Sequence, residues 1–125
     1  MTTLNRLGNC KNPFQGKRKR VLCLCSAGLL RSPTIAWVLS NEPFNFNTRA
    51  AGVNTEYALI PVDTVLLEWA DLVVGAEQWH IDAAKRISDA KPMLALEIED
   101  RFAAYDPKLI ALIKKKIEDN IESFN

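Results

Sequence analysis

A cysteine and an arginine in the first third of the chain stand at a spacing that suits anion chemistry. Five residues separate Cys25 from Arg31 in the stretch CSAGLLRSP, and Ser32-Pro33 follows the arginine directly. A loop of this length can turn its backbone N–H groups toward a tetrahedral anion, and a helix that starts at its end adds unpaired donors and positive potential. The guanidinium of Arg31 matches two oxygens of such an anion. The stretch therefore predicts a phosphate-binding loop, although a plain strand-to-helix turn would also fit it.

Cys25 is the candidate nucleophile of this loop. A thiol beside an arginine and a helix N-terminus loses its proton near neutral pH, and a thiolate can attack phosphorus in line. The hydroxyl of Ser32 would then donate to the sulfur and stabilise it as the leaving group from a phosphocysteine. The cradle itself would be formed by the residues between, which are Ser26, Ala27, Gly28, Leu29 and Leu30. Gly28 can adopt the left-handed backbone that such a curve demands.

The apolar stretches around this loop alternate between strand and helix patterns. Strands are predicted over 20–25, 44–53, 71–76 and 92–98, and helices from Ser32 to about 40 and over 61–70, 77–88 and 106–121. This alternation predicts a doubly wound α/β fold with three layers around about four parallel strands. Ligands of such sheets bind beyond the carboxyl ends of the strands. The rule points to the loops that follow Cys25 and Ile98.

Composition and charge narrow the class of protein. With 125 residues and 48% hydrophobic content, we expect one α/β domain over 20–125, preceded by a flexible basic extension over 1–19. No apolar run is long enough for a membrane span, and a net charge of +1 gives no overall attraction to nucleic acid. Three cysteines without a secretory signal predict reduced thiols and a cytoplasmic protein. One histidine and no zinc-type cysteine pair argue against a metal site.

The loop and its surroundings resemble the signature of the low-molecular-weight protein tyrosine phosphatases. In that family a Cys-x5-Arg-Ser-Pro motif follows the first strand of a flavodoxin-like fold, and the similarity extends in element order over 20–120. TRAAGV at 48–53 is similar to the family's second strand, and LLEWADLVVGAEQWH at 66–80 resembles the segment around its third strand. The resemblance, most of all to compact bacterial or phage members, implies hydrolysis of phosphotyrosine or small aryl phosphates through a phosphocysteine. It also implies that no cofactor is needed and that phosphate, sulfate and vanadate compete for the site.

The family also uses an aspartate on a late loop as general acid, usually within an Asp-Pro pair. Two residues of this chain are candidates, Asp100 after the fourth predicted strand and Asp106, which precedes Pro107. We favour Asp100, because it follows the strand end directly, whereas Asp106-Pro107 is typical of a helix cap and first helical residue. Phe102, close to Asp100, is expected to form an apolar wall for a phenyl ring, and Trp79 is a further candidate at the pocket mouth.

Other residues invite simpler interpretations. Cys23, Trp37 and Trp69 are expected in the core, and His80 is expected on the surface. The family commonly has asparagine at the position of Gly28 and often a second cysteine at that of Leu30. We therefore expect this chain to differ from the family mainly in loop rigidity and substrate preference. Two other functions remain as alternatives: a phosphate- or phosphoprotein-binding module without catalysis, and a thiol-dependent arsenate reductase. The second is disfavoured because no cysteine follows Cys25.

Overall fold

The computed structural model describes residues 18–28, 30–54 and 56–124. The predicted basic extension over 1–19 therefore lies almost wholly outside the described residues. Its last two residues run beside the second strand of the sheet. There the carbonyl of Lys19 accepts a hydrogen bond from the backbone N–H of Asn47, at 2.9 Å, and Arg18 donates to the carbonyl of Phe44, at 3.3 Å.

Strands of the described residues form one parallel sheet. The strands are β1 (Arg20–Cys25), β2 (Asn47–Gly52), β3 (Leu72–Gly75) and β4 (Met93–Ala95). Their order across the sheet is β2-β1-β3-β4, and each neighbouring pair is parallel. Since β1 lies between β2 and β3, both of its edges are paired and both of its faces are covered, which accounts for its continuous apolar run. The predicted parallel α/β sheet is confirmed.

Helices cover both faces of the sheet. They are α1 (Arg31–Ser40), α2 (Thr64–Trp69), α3 (Gln78–Ile87) and α4 (Pro107–Asp119), followed by a 3-10 turn at Ile121–Phe124. Side chains of β1 alternate between two buried clusters, as the period of a strand requires. Cys23 and Cys25 pack among residues of α1 and α4, and Leu22 and Leu24 pack among residues of α2 and α3. The three-layer arrangement is therefore as predicted, and so is the burial of Cys23.

Two details of the first helix differ from the prediction. The helix begins at Arg31, and Leu30 stands at its N-cap position without a side-chain cap. Ser32, where the sequence predicts the helix to start, lies one residue inside it, and its hydroxyl donates to the carbonyl of Ala51 near the end of β2, at 3.4 Å. Trp37 is wrong as a core residue, because it is 43% exposed and lies edge-on against Tyr105.

Among the described residues, helix lengths and composition offer no candidate for a membrane-spanning helix.

Candidate active site

The loop after β1 sits at the carboxyl edge of the sheet and is tied to the end of β2. The backbone N–H groups of Val53 and Asn54 donate to the carbonyls of Cys25 and Ser26, both at 2.9 Å. Gly28 has a φ of +75°, the left-handed backbone that was expected of it. A Cβ at this position would lie 2.9 Å from backbone atoms of β2. The loop therefore packs so closely on the strand end that only glycine fits without a shift.

Cys25 lies at the base of this loop and is 3% exposed. The backbone N–H of Gly28 donates to its Sγ, at 3.2 Å. The thiol itself donates to Oγ of Ser32, at 3.1 Å. A sulfur that already has a backbone donor and a hydroxyl beside it is surrounded by groups that can stabilise its anion.

Arg31 closes the loop from the other side. Its side chain is 1% exposed and ion-paired with Glu77. Its Nη1 also donates to the carbonyl of Ile98, at 2.7 Å, and its Nε lies 3.6 Å from a carboxylate oxygen of Asp100. The guanidinium is thus held between the strand-end loops that follow β1, β3 and β4. The hydrogen bond from Arg31 is the main reason that the pKa of Glu77 lies below its usual value.

His80 is the second residue contributed from beyond β3. It is fully buried, so its predicted surface position is wrong. Its Nδ1 accepts a hydrogen bond from the backbone N–H of Glu77, at 2.9 Å, and its Nε2 lies 3.2 Å from Oγ of Ser26. Burial, together with the nearby charge of Arg31, lowers the pKa of His80 to about 4. At neutral pH the imidazole is therefore uncharged.

A cavity of about 210 Å³ lies at the loop that follows Cys25. Six residues line it: Cys25, Ser26, Ala27, Leu30, Arg31 and Asp100. The loop after β1 and the loop after β4 thus face each other across one space, as the parallel sheet implies. Asp106 lies elsewhere, because its side chain accepts from the backbone N–H of Lys108, at 2.8 Å, and caps α4.

The remaining predicted site residues are placed differently. Phe102 is 7% exposed and belongs to the core cluster beneath α1 and α4, with the guanidinium of Arg101 over its ring. Its side chain therefore faces the core and does not line the cavity. Trp79 is 47% exposed and packs on the imidazole of His80, also away from the cavity walls. Leu29 lies outside the described residues.

Sequence reasoning did not identify Glu77 as part of the site and left His80 outside it. Both residues follow β3 and open α3, where an acidic residue and a polar residue three positions later are typical of an ordinary helix start. The signal that could have found them is topological. β3 pairs with β1 in the sheet, so the loop after β3 must pass beside the loop after β1.

The chain shares its fold with solved phosphatase structures. Vibrio vulnificus Wzb, solved in complex with benzylphosphonate, matches with a TM-score of 0.65 at 16% identity, over 84% of this chain and 98% of that one. A low-molecular-weight phosphotyrosine phosphatase from Vibrio cholerae O395 matches with a TM-score of 0.59 at 14% identity, over 85% of this chain and 96% of that one. The Erwinia amylovora tyrosine phosphatase AmsI matches with a TM-score of 0.57 at 18% identity, over 91% of this chain and 96% of that one.

The TM-scores of these matches show a shared fold, and the expected flavodoxin-like α/β architecture is confirmed. No model of a known protein family matches the chain, and no curated protein sequence matches it.

Proposed function

We propose that this chain is a low-molecular-weight protein tyrosine phosphatase, which hydrolyses phosphotyrosine and small aryl phosphates through a phosphocysteine. One observation carries the proposal: Cys25, Arg31 and Asp100 line the same cavity. A nucleophile, a phosphate clamp and a proton donor thus surround one space, which meets the geometric requirement for nucleophilic displacement at phosphorus. The fold that this chain shares with the solved tyrosine phosphatases also supports a phosphatase function.

In the first step the thiolate of Cys25 attacks phosphorus, so that an S–P bond forms as the aryl P–O bond breaks. The N–H of Gly28 already donates to the sulfur. Once the thiol has lost its proton, the hydroxyl of Ser32 can turn from the carbonyl of Ala51 and donate to Sγ as well. Both bonds favour the thiolate before attack and again when it leaves in the second step.

Asp100 acts as the acid of the first step and the base of the second. It protonates the departing phenolate oxygen, and then takes a proton from the water that attacks the phosphocysteine. Its carboxylate faces the cavity from the loop after β4 and lies beside Arg31. Arg31 binds the oxygens of the phosphoryl group, whose charge spreads outward in the transition state.

The size and lining of the cavity fit an aryl phosphate. Ala27 and Leu30 give it apolar walls beside the charged groups, and a phenyl ring has an apolar face and edge to place against them. Vibrio vulnificus Wzb is described in complex with benzylphosphonate, whose ring and phosphonate group resemble the ring and phosphate group of phenyl phosphate. The reduced thiol that this chemistry requires fits a cytoplasmic protein.

Hydrolysis of para-nitrophenyl phosphate tests the proposal. We expect turnover by the unaltered chain, none by Cys25→Ser, and a loss of roughly 10²–10⁴ in kcat for Asp100→Asn, the usual contribution of a positioned acid. Asp106→Asn is the matched control, since it removes an equal charge from the cap of α4, and it should keep full turnover.

Four outcomes would contradict parts of this scheme. Full activity of Cys25→Ser would exclude Cys25 as the nucleophile. A damaging Asp106→Asn with a harmless Asp100→Asn would reverse the assignment of the acid. Absence of hydrolysis together with tight binding of a phosphotyrosine peptide would favour the binding-module alternative, and reduction of arsenate by the unaltered chain would favour a reductase.

A further inference from the structure

Ser26 is a polar residue of the cavity lining whose side chain has no role in the proposed reaction. Its Oγ has two partners among residues 18–28, 30–54 and 56–124, Nη2 of Arg31 at 3.4 Å and Nε2 of His80 at 3.2 Å. A guanidinium can only donate, so the first of these bonds occupies one lone pair of Oγ. The direction of the second depends on which imidazole nitrogen carries the proton.

The backbone of Glu77 fixes that tautomer. Its N–H donates to Nδ1 of His80, at 2.9 Å, so Nδ1 must carry a lone pair. The imidazole is buried and uncharged at neutral pH, because its pKa is lowered to about 4. Its single ring proton therefore sits on Nε2, which donates to Oγ of Ser26.

Both lone pairs of the Ser26 oxygen are then used, and its own proton needs an acceptor elsewhere. Ser26 lines the same cavity as Cys25. Its Oγ is also a neighbour of the Arg31 nitrogen that would hold a phosphoryl oxygen. An acceptor in the cavity that bonds to this nitrogen is thus within reach of the hydroxyl.

We propose that the Ser26 hydroxyl is a side-chain donor to the phosphoryl group and that His80 is the positioning residue that turns it toward the cavity. The inference rests on the proposed function for the identity of the substrate, but the bond itself requires only a bound phosphate. Glu77 takes part twice, because its carboxylate pairs with Arg31 and its backbone sets the tautomer of His80.

Substitutions of Ser26 and His80 test this chain of hydrogen bonds, which we call the Ser26–His80 relay. The measurements are the inhibition constant of inorganic phosphate and direct titration with phosphate by calorimetry at pH 7. Ser26→Ala should weaken phosphate binding by about 10- to 100-fold, the range for one hydrogen bond to a charged group. Ser26→Thr keeps the hydroxyl and should bind within a few-fold of the unaltered chain. Ser40→Ala is the matched control, since that buried hydroxyl donates within α1, to the carbonyl of Trp37.

Two substitutions, each of which reproduces one ring nitrogen of His80, distinguish a role in positioning Ser26 from a purely structural role. Asparagine reproduces the position of Nδ1, so His80→Asn keeps an acceptor for the Glu77 N–H but cannot reach Ser26. Glutamine reproduces the position of Nε2, so His80→Gln keeps a donor to Ser26. We expect His80→Asn to weaken phosphate binding several-fold and His80→Gln to rescue it. A role limited to capping α3 predicts the reverse order.

The double variant completes the test. In the Ser26→Ala background His80→Asn should have no further effect on phosphate binding, because the group it positions is gone. Additive losses would overturn the relay, as would unchanged phosphate affinity in Ser26→Ala. A Ser26→Ala variant that shifts the acid limb of the pH–rate profile while binding phosphate normally would assign the hydroxyl to the thiolate instead.

Failure of the proposed function is distinguishable from failure of this inference. If the unaltered chain binds phosphate without hydrolysing aryl phosphates, the catalytic proposal fails and the titrations still decide the role of Ser26. If it hydrolyses them but Ser26→Ala binds phosphate normally, only the relay is excluded. A chain that binds no phosphate would overturn both. Thermal melting of every variant identifies any that has lost its fold.

Discussion

Gly28 offers a quantitative test of how tightly the loop between β1 and α1 packs against β2. The sequence resemblance described above implies asparagine at this position, so Gly28→Asn and Gly28→Ala are the informative changes. Two separate costs apply to them. The first is the left-handed backbone, with φ at +75°, which costs an alanine about 1 kcal/mol or more. Asparagine tolerates this backbone better than alanine does.

The second cost is steric and is the same for both side chains. A Cβ at Gly28 would meet the carbonyl carbon of Ala51 and the nitrogen of Gly52, each at 2.9 Å, and both are backbone atoms of β2. A paired strand cannot move aside as the tip of a side chain can, and overpacking of this kind costs about 1–3 kcal/mol. The sum for Gly28→Ala is about 2–4 kcal/mol, which corresponds to a fall in Tm of roughly 10 °C.

Urea denaturation of both variants measures these costs as changes in the free energy of unfolding. Glu97→Gly supplies the chain's own reference for the backbone cost, because Glu97 is exposed and has a φ of 60°. We expect it to raise the free energy of unfolding by about 1 kcal/mol. If contact with β2 dominates, Gly28→Asn and Gly28→Ala lose nearly equal stability. A nearly neutral Gly28→Asn beside a damaging Gly28→Ala would refute the steric argument.

Three further predictions concern Glu77, His80 and Asp106. Glu77→Gln should lower the free energy of unfolding by about 1–2 kcal/mol in urea titrations, since it removes the carboxylate paired with the buried Arg31, and an unchanged value would show that the pair contributes nothing. The folded state should lose stability as the pH falls from about 6.5 to 4, by up to about 3 kcal/mol, because the unfolded chain binds a proton at His80 that the folded chain, with a pKa of about 4, does not. Titration of stability against pH should show a shallower slope for His80→Gln over that window, and equal slopes would exclude His80 as the cause. Asp106→Ala should cost about 1 kcal/mol through loss of the α4 cap and leave para-nitrophenyl phosphate turnover intact, whereas loss of turnover at full stability would contradict the assignment.

Local chemistry of the sequence was sufficient to predict the loop. The continuous apolar run of β1, the spacing from Cys25 to Arg31 and the glycine between them are consecutive in the chain, so their geometry depends on backbone preferences that short stretches carry. The alternation of strands and helices predicted the parallel sheet for the same reason. Asp100 was also within reach of the sequence, because the strand-end rule connects two distant loops once the sheet is assumed.

Tertiary structure decided which other side chains join the loop. Glu77 and His80 stand 46 and 54 positions from their partners Arg31 and Ser26, and nothing local distinguishes them from an ordinary helix start. Only the pairing of β3 with β1 brings them to the site. There, burial and the nearby charge of Arg31 keep His80 neutral, and the backbone N–H of Glu77 defines its tautomer.

Side-chain direction in irregular loops is the other property that the sequence left open. Phe102 stands two residues from Asp100, yet it is buried in the core while Asp100 lines the cavity. Strands and helices carry a fixed period that predicts which side chains share a face, but a loop has none. The sequence therefore determined the backbone of the loop after β1, and the packing of the sheet determined which side chains would surround that loop.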